Sequence, residues 1–196
     1  MPKLILDASV SLDGFSSGPG VDKSHPMGEG GACLHDWLSG SDGHAVSEAD
    51  RQIGGALFAS CGAVMMGRRT FDVGIDLWGE DAAFRMPCFV LTHRARAPLV
   101  KGPTTFTFVT EGVVAAAQRA RAAAGAKHVW VMGSASMAQQ CLHAGLVDEL
   151  RLHLIPVMLG AGTRLFGNAD RRALKLERTS LIASPLATHL SLRVRP

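Results

Sequence analysis

Apolar and polar residues alternate near the start of the chain. One face of a predicted strand, residues 4–12, carries Leu4, Leu6, Ala8, Val10 and Leu12, and the other carries Ile5, Asp7, Ser9, Ser11 and then Asp13. A polar row is unexpected on the first strand of an α/β core if that face is simply packed. The pattern therefore indicates that this face lines a cleft.

Short apolar runs and helical patterns alternate along the rest of the chain. Helices are predicted at 47–60, from 68 to about 74, and at 113–124 and 136–144. Strands are predicted at 62–66, 88–92, 105–109, 128–132 and 150–157, and two late runs, 174–182 and 188–194, alternate as antiparallel strands do. This order predicts an α/β protein with a mixed, mostly parallel central sheet flanked by helices and a C-terminal antiparallel pair.

Residues 16–45 interrupt this pattern. The segment is rich in Gly, Ser, Asp and His and has little periodicity apart from a short piece at 34–38. A loop of this length within a compact domain is usually functional or disordered. We predict a single domain over residues 1–196, with 16–45 as a loop that folds over the active site.

Composition narrows the class of protein. Hydrophobic residues make up 47% of the chain, and no run reaches the ~18 apolar residues that cross a bilayer. Asp7 follows the first apolar residues too soon for a signal peptide, so we predict a cytoplasmic protein without a membrane partner. The net charge of +3 is small and dispersed, which argues against nucleic acid as a partner.

The four cysteines are widely separated in the sequence. None belongs to a C-x-x-C pair, and Cys88 and Cys141 fall in apolar segments, where a thiol behaves as a small hydrophobe. No histidine pair has metal-ligand spacing with a third partner, and His153 on an apolar run is expected to be a core residue. We therefore predict neither disulfides nor a metal site.

Two glycine-containing segments follow predicted strands and precede predicted helices. They are residues 67–70, Gly-Arg-Arg-Thr, and residues 132–136, Met-Gly-Ser-Ala-Ser. Free backbone N–H groups at a helix start bind anions, and two guanidinium groups add permanent charge that fits phosphate. Two such turns indicate a ligand with two separated phosphate groups. The alternative is two ordinary helix starts, with solvated arginines at one and a serine N-cap at the other.

Six segments in this order resemble a known family. They are 11–14 (SLDG), 66–70 (MGRRT), 90–94 (VLTHR), 130–134 (WVMGS), 146–150 (LVDEL) and 156–166 (PVMLGAGTRLF). The chain resembles the dihydrofolate reductase superfamily, especially the branch shared with the reductase domain of the bifunctional riboflavin-biosynthesis enzyme. The resemblance implies a dihydrofolate reductase-like three-layer fold and an NADPH-dependent reductase.

The resemblance also implies roles for particular residues. Arg68 and Arg69 would hold the 2′-phosphate of NADPH, and Gly133 and Ser134 would begin the cradle for the pyrophosphate. The implied cofactor-binding residues are Ala8, Ser9, Gly67, Arg68, Arg69, Thr70, Leu91, Thr92, His93, Arg94, Met132, Gly133, Ser134, Ala135 and Ser136. Ser134 stands where folate reductases carry the second of two glycines.

Two acids are the candidate catalytic residues. Asp7, on the polar face of the first strand, could accept hydrogen bonds from a heterocycle or relay a proton, although a solvated or paired structural acid is the alternative. Asp13 could touch the ligand or simply set the Asp-Gly turn. Asp42, Glu48 and Asp50 are candidates, by order in the chain, for the acid that folate reductases place after their mobile loop.

These features predict an NADPH-dependent reductase that sends hydride to a C=N or C=C bond of a pterin-like or pyrimidine-like heterocycle. Trp37 and Trp78 are candidates for closing the site, and the apolar C-terminal strands favour a homodimer. A non-catalytic NADPH-binding or regulatory module of the same fold is the alternative function.

Overall fold

The structure is a computed structural model, and it describes residues 2–41, 43–80, 84–167 and 174–195. The helices are α1 (Asp36–Ser39), α2 (Glu48–Ser60), α3 (Arg68–Gly74), α4 (Val113–Ala124) and α5 (Ala135–His143), with a 3₁₀ helix at Gly31–His35. The strands are β1 (Leu4–Ser11), β2 (Phe15–Ser17), β3 (Cys61–Gly67), β4 (Cys88–Leu91), β5 (Leu99–Lys101), β6 (Thr104–Val109), β7 (His128–Gly133), β8 (Glu149–Ile155), β9 (Thr163–Arg164), β10 (Lys175–Ala183) and β11 (Thr188–Arg195).

Among the described residues, nine strands form one sheet in the order β10-β11-β8-β1-β7-β3-β4-β6-β5. The strands from β8 to β6 run parallel to their neighbours, whereas β5 at one edge and β11 and β10 at the other pair antiparallel. Strands β2 and β9 form a separate antiparallel pair. The predicted mixed, mostly parallel sheet with a C-terminal antiparallel pair is confirmed.

Helices cover both faces of the sheet. Small and apolar side chains of α4 and α5, including Ala120 and Met137, pack against Leu6 and Val131 in one buried cluster. On the opposite face, α2 and α3 contribute Leu57 and Phe71 to a second cluster. Because the central parallel strands are buried on both faces, they consist of nearly continuous apolar runs. The predicted three-layer architecture is confirmed.

Local sequence signals explain where most elements begin and end. The Ser47 hydroxyl accepts a hydrogen bond from the Asp50 N–H, and the Asp50 carboxylate accepts from the Ser47 N–H, so a capping box starts α2. Gly74 ends α3 and Gly125 follows α4, as predicted. Helix α4 begins after Gly112 and has the predicted range, 113–124.

The sequence pattern missed the elements that depend on distant partners. The short strand β2, at the start of segment 16–45, pairs with β9, which lies almost 150 residues later. The 3₁₀ helix and α1 also lie within this segment, and its glycines pack closely: a Cβ on Gly18 would lie 1.9 Å from the Glu29 carbonyl oxygen. Segment 16–45 is therefore folded against the sheet edge rather than extended into solvent.

The described residues contain no helix long and apolar enough to span a membrane. All four cysteines are free, and burial raises the pKa of the Cys141 thiol to about 12. This agrees with their interpretation as small hydrophobic residues.

Candidate functional site

A cavity of about 800 Å³ lies at the carboxyl ends of the central parallel strands. In the sheet, β7 lies between β1 and β3, and β8 lies on the other side of β1. The chain therefore leaves β1 toward β3, whereas it leaves β7 in the opposite direction, toward β8. Ligands of open α/β sheets bind at such a reversal. The cavity volume lies within the range of small-molecule and cofactor sites.

Every residue that the resemblance implies for cofactor binding lines this one cavity, together with Asp7. These residues come from four separate segments of the chain, at β1, the turn between β3 and α3, the end of β4 and the turn between β7 and α5. Segment 16–45 supplies another wall through residues that include Ser17, Val21 and Met27.

The turn after β3 places two guanidinium groups at the cavity. Arg68 Nε donates to both oxygens of Asp72, at 2.8 and 2.9 Å, one turn further along α3. Arg69 Nη2 donates to the Val21 carbonyl oxygen at 2.6 Å and so links α3 to segment 16–45. Each guanidinium group has five N–H donors, so these contacts leave donors for a ligand.

The turn after β7 presents backbone donors to the same cavity. Gly133 has a φ of +127°, which disfavours any side chain, and the Gly133–Ser134 peptide is cis. Ser134 is the N-cap of α5 but makes no side-chain cap bond, and the first turn of α5 contains no acid. The first N–H groups of α5 are therefore free to point at an anion.

The two turns touch each other. Met66 pairs with Gly133 where β3 and β7 lie side by side. A Cβ on Gly67 would lie 2.8 Å from the Ser134 hydroxyl oxygen and 3.4 Å from the Ser134 nitrogen, so the backbone comes close here because residue 67 has no side chain. Guanidinium groups and helix N–H donors thus face one continuous space.

The cavity continues along the sheet edge in both directions. Thr92, His93 and Arg94 follow β4, and Thr110 and Gly112 follow β6, so they line the side away from β1. Four strand intervals separate β1 from β6, which is about 19 Å at the usual spacing between neighbouring strands. A site of this length suits an extended dinucleotide better than a single ring.

At the β1 side, the cavity wall combines Asp7 and Ser9 with aromatic side chains. The Trp37 indole N–H donates to the Ser9 hydroxyl at 2.9 Å. Phe58 and Trp130 meet edge to face, with centroids 5.3 Å apart, and both line the cavity. The buried Trp130 indole N–H has no hydrogen-bond partner among the described residues, so it is a candidate donor to a ligand.

Asp7 is also connected to a buried chain of polar side chains. Asp7 Oδ1 lies 3.2 Å from His153 Nε2, the two histidine Nδ1 atoms of His153 and His189 lie 2.7 Å apart, and His189 Nε2 lies 2.8 Å from Asp50 Oδ1. Burial lowers the pKa of His189, and the nearby His153 adds to this effect, while the Asp50 carboxylate opposes it. His153 is indeed a buried histidine with satisfied ring nitrogens, but it contacts a residue of the site.

The surroundings of Asp50 favour its ionised form. Burial alone would raise the pKa of Asp50, but hydrogen bonds from Ser47, Ser184 and His189 outweigh it and hold this pKa below its ordinary value. Asp50 does not line the cavity, and Glu48 is exposed and bonds Arg51 and Gln52, so neither is placed like a substrate-binding acid. Asp42 lies outside the described residues.

Asp13, the other candidate catalytic residue, does not line the cavity. Its carboxylate accepts hydrogen bonds from the Ser11 hydroxyl at 2.6 Å and from the N–H groups of Leu159 and Gly160 at 3.1 and 2.7 Å. The Ser11 bond in particular lowers the pKa of Asp13 to about 2. Asp13 therefore joins two turns, which is the structural alternative for an Asp-Gly pair.

The two tryptophans proposed to close the site have different positions. Trp37 is buried against it, whereas Trp78 packs on Phe84 and Phe106 in the second hydrophobic cluster and does not line the cavity. Sequence reasoning missed the contributions of His35, Phe58 and Trp130. The helical spacing of Phe58 and the strand position of Trp130 carry no local sign of a ligand, because ordinary core residues show the same pattern.

Comparison with known proteins agrees with this geometry. Residues 2–189 match the family model of the RibD C-terminal domain. The chain is 28% identical over 194 residues to the uncharacterized protein YyaP of Bacillus subtilis, covering 93% of this chain and 90% of that protein.

Solved structures share the fold. A putative riboflavin biosynthesis protein from Shewanella sp. PV-4 superimposes with a TM-score of 0.75 at 21% identity, covering 99% of both chains. A diaminohydroxyphosphoribosylaminopyrimidine deaminase/5-amino-6-(5-phosphoribosylamino)uracil reductase from Thermotoga maritima gives a TM-score of 0.64 at 13% identity, covering 99% of this chain and 57% of that chain. These likenesses confirm the predicted fold and resemblance. Since the match to the family model extends over nearly the whole sequence, the chain belongs to the RibD C-terminal domain family.

Proposed function

We propose that this protein is an NADPH-dependent reductase that transfers hydride to a C=N or C=C bond of a small planar heterocycle. The observation that carries the proposal is the contact between two glycine turns at one cavity, one bearing Arg68 and Arg69 and the other the open start of α5. Family membership supports the same class of activity.

The residues present fit NADPH on three observations. A Cβ at Gly67 would lie 2.8 Å from the Ser134 hydroxyl oxygen where the two turns meet, so glycine favours this close approach. The start of α5 lacks a side-chain cap, which leaves N–H donors for a pyrophosphate. Arg68 and Arg69 retain unused donors for a 2′-phosphate, and the residues after β4 and β6 would border the adenosine.

NADPH, when bound, supplies a hydride to an electrophilic carbon. The protein's own contribution is to orient the acceptor, exclude water and provide a proton. Ala8 and Ser9 on β1 would lie against the nicotinamide, and Trp37 and segment 16–45 close the wall beside them. Asp7 is the titratable carboxyl on this wall, and it would hold the proton that the acceptor takes up after reduction.

The β1 side of the cavity favours an uncharged, planar acceptor. Its lining is largely apolar and aromatic, with Trp37, Leu57, Phe58 and Trp130, and Asp7 and the free Trp130 N–H offer polar contacts at ring edges. Among the described residues that line the cavity, every arginine follows β3 or β4, at least two strand intervals or about 10 Å from β1.

This arrangement bears on the choice of substrate. The Thermotoga maritima enzyme is named for a substrate that carries a phosphoribosyl group. An acceptor with its own phosphate would find no arginine or lysine on the described β1 side of this cavity once the guanidinium groups hold the cofactor. We therefore propose a pterin-like or pyrimidine-like ring without a phosphate as the substrate class.

A ligand comparison tests the proposal directly. Thermal unfolding would be measured with NADPH, NADH and FMN, since a ligand at 100 times its Kd adds about 2.7 kcal/mol to stability. We expect the largest stabilisation with NADPH. NADPH oxidation would then be followed at 340 nm with dihydropterins, pyrimidines and their phosphoribosylated forms.

The outcomes separate the alternatives. Equal stabilisation by NADH and NADPH contradicts the assignment of Arg68 and Arg69. Tight NADPH binding without oxidation by any acceptor favours a non-catalytic nucleotide-binding module. Oxidation only by the phosphoribosylated acceptors overturns the proposed substrate class while leaving the reductase assignment intact.

A further inference from the structure

A continuous line of hydrogen-bonded side chains passes under the floor of the cavity. It runs from Asp7 through His153 and His189 to Asp50, with donor–acceptor distances of 3.2, 2.7 and 2.8 Å. Asp50 Oδ2 then accepts from the Ser47 hydroxyl at 2.6 Å. The four titratable side chains come from β1, β8, β11 and α2, so only the tertiary fold brings them together.

The ring nitrogens are used in an order that allows proton passage. Each histidine faces its carboxylate through Nε2 and the other histidine through Nδ1. A proton that enters either ring at one nitrogen can therefore leave from the other nitrogen toward the next group. The register of the sheet sets this arrangement, because His153 and His189 are directly paired residues of β8 and β11.

The two ends of this row of side chains differ from its middle. Asp7 lines the cavity, whereas Ser47 and Ser184 at the opposite end are partly exposed beside α2. The histidines between them are buried, and the Trp37 ring covers both, at centroid distances of 4.1 and 5.0 Å. The two histidines in the middle of the row are thereby shielded from bulk water, while one end of the row faces the cavity and the other faces solvent.

We propose that Asp50, His189 and His153 form a proton relay that restores the proton of Asp7 from solvent at the start of α2. The relay rests on the proposed function, in which Asp7 gives a proton to the reduced acceptor. His153, His189 and Asp50 do not touch the acceptor, and they act through Asp7. The relay also explains why four ionisable groups share one buried row, at a cost in desolvation that packed apolar residues would avoid.

Asp7 starts with the proton that the proposed function assigns to it, and one proton lies in each of the three hydrogen bonds of the row, the last being shared by His189 Nε2 and Asp50. When Asp7 loses its proton to the acceptor, the His153 Nε2 proton moves to Asp7 and the His189 Nδ1 proton moves to His153 Nδ1. One proton from solvent, entering beside Ser47, then restores the charge of the row, and no bond other than O–H and N–H changes. Both histidines then carry their proton on the opposite ring nitrogen, so they must exchange tautomers before the row serves another turnover.

Other charged groups face the row and set its electrostatic surroundings. Arg151 is the direct neighbour of Asp7 on β8 and also donates to Glu149 at 2.7 Å. His35, from the 3₁₀ helix, lines the cavity, and desolvation together with the charge of His153 lowers its pKa. Asp36 follows His35 at the start of α1, and among the described residues it makes no hydrogen bond with His153, His189 or Asp50, so it provides a matched carboxylate outside the relay.

The first experiment needs no substrate. Long-range ¹H–¹⁵N spectra of ¹⁵N-histidine-labelled full-length protein would be recorded across pH for the unaltered chain, Asp50→Asn and Asp36→Asn. We expect Asp50→Asn to change the ¹⁵N chemical shifts of both His189 and His153, although His189 is the one histidine of the pair that Asp50 contacts. A response confined to His189, or an equal response to Asp36→Asn, would overturn the relay.

The second experiment uses NADPH and whichever acceptor of the heterocycle panel is reduced. In His189→Asn, we expect the first turnover to keep its rate, while the steady-state kcat falls about tenfold or more, because Asp7 is no longer recharged. Added imidazole or other small buffers should partly restore kcat, and the KM for NADPH should not change. If His189→Asn slows the first turnover as much as it slows the steady state, the row has a purely structural role and the relay is overturned.

The two proposals fail in different ways. If the unaltered protein binds NADPH but reduces no acceptor, the reductase assignment fails, and the histidine spectra still decide whether the row is coupled. If an acceptor is reduced and His189→Asn has unchanged steady-state turnover, the relay fails while the reductase assignment stands.

Discussion

Replacing Arg68 and Arg69 together by Ala should reduce the affinity for NADPH far more than that for NADH. Both side chains line the cavity beside the start of α5. The difference between the two nucleotides is the 2′-phosphate, which a guanidinium group binds through charge-assisted hydrogen bonds. The ratio of the two dissociation constants therefore isolates the role assigned to these arginines.

The structure sets the expected size of this change. Charge-assisted hydrogen bonds contribute about 1.5–3 kcal/mol each, so two arginines amount to about two to four decades in affinity. The Arg68 side chain is 35% exposed and already pairs with Asp72, so solvent screening places its share at the lower end. Arg69 also holds Val21 of segment 16–45, so its loss should weaken both nucleotides slightly through the loop.

The assay is a titration of each nucleotide by calorimetry, at fixed ionic strength because salt screens these contacts. Arg119→Ala is a matched control, since it removes one positive charge from α4 at a residue that pairs with Glu111 and does not line the cavity. The adenosine 2′,5′-bisphosphate and adenosine 5′-phosphate pair repeats the comparison without the nicotinamide.

An unchanged ratio of the NADPH and NADH dissociation constants in the double variant would contradict the role assigned to Arg68 and Arg69. An equal loss for both nucleotides would mean that the arginines support the loop and do not read the 2′-phosphate. A loss of the same size in Arg119→Ala would mean that only net charge matters.

Three further expectations follow from the same structure. Asp7→Asn should lower turnover about 10²-fold or more while NADPH affinity stays nearly the same, and a variant with full turnover would remove Asp7 from the mechanism. Asp13→Asn should destabilise the protein near neutral pH. Because folding lowers the pKa of Asp13 from 3.8 to about 2, the ionised carboxylate stabilises the protein above about pH 4. The difference in urea midpoint between the parent protein and the variant should therefore disappear as the pH falls toward 2. The edge strand β10 exposes Leu181 at 54% and Ile182 at 41%, so we expect a homodimer in light scattering that Leu181→Glu converts to monomer, and a monomeric parent chain would contradict this.

Much of the fold could be predicted because its signals are local. The capping box at the start of α2, the glycines that end α3 and α4, and the apolar runs of β3 and β7 each lie within one short segment. The strands missed, β2, β5 and β9, have only two or three residues each, too few for a periodic pattern, and β2 and β9 pair across almost 150 residues of sequence.

The candidate site was also predictable only in part. The position of its two glycine turns was predictable, since a strand–glycine–helix turn places its backbone donors at the carboxyl edge of a parallel sheet wherever that strand lies. The order of the strands then brings the turns into contact at Gly67 and Ser134, which no spacing along the chain could show.

Local sequence patterns were enough to predict the layered architecture, the two glycine turns and the polar face of β1, because hydrophobic period and turn chemistry act over a few residues. The tertiary structure was needed to show that Asp13 joins two turns and that His153 meets His189 and Asp50. These outcomes depend on which strands pair and in which register, and local patterns do not show them because most of these contacts join residues more than a hundred positions apart.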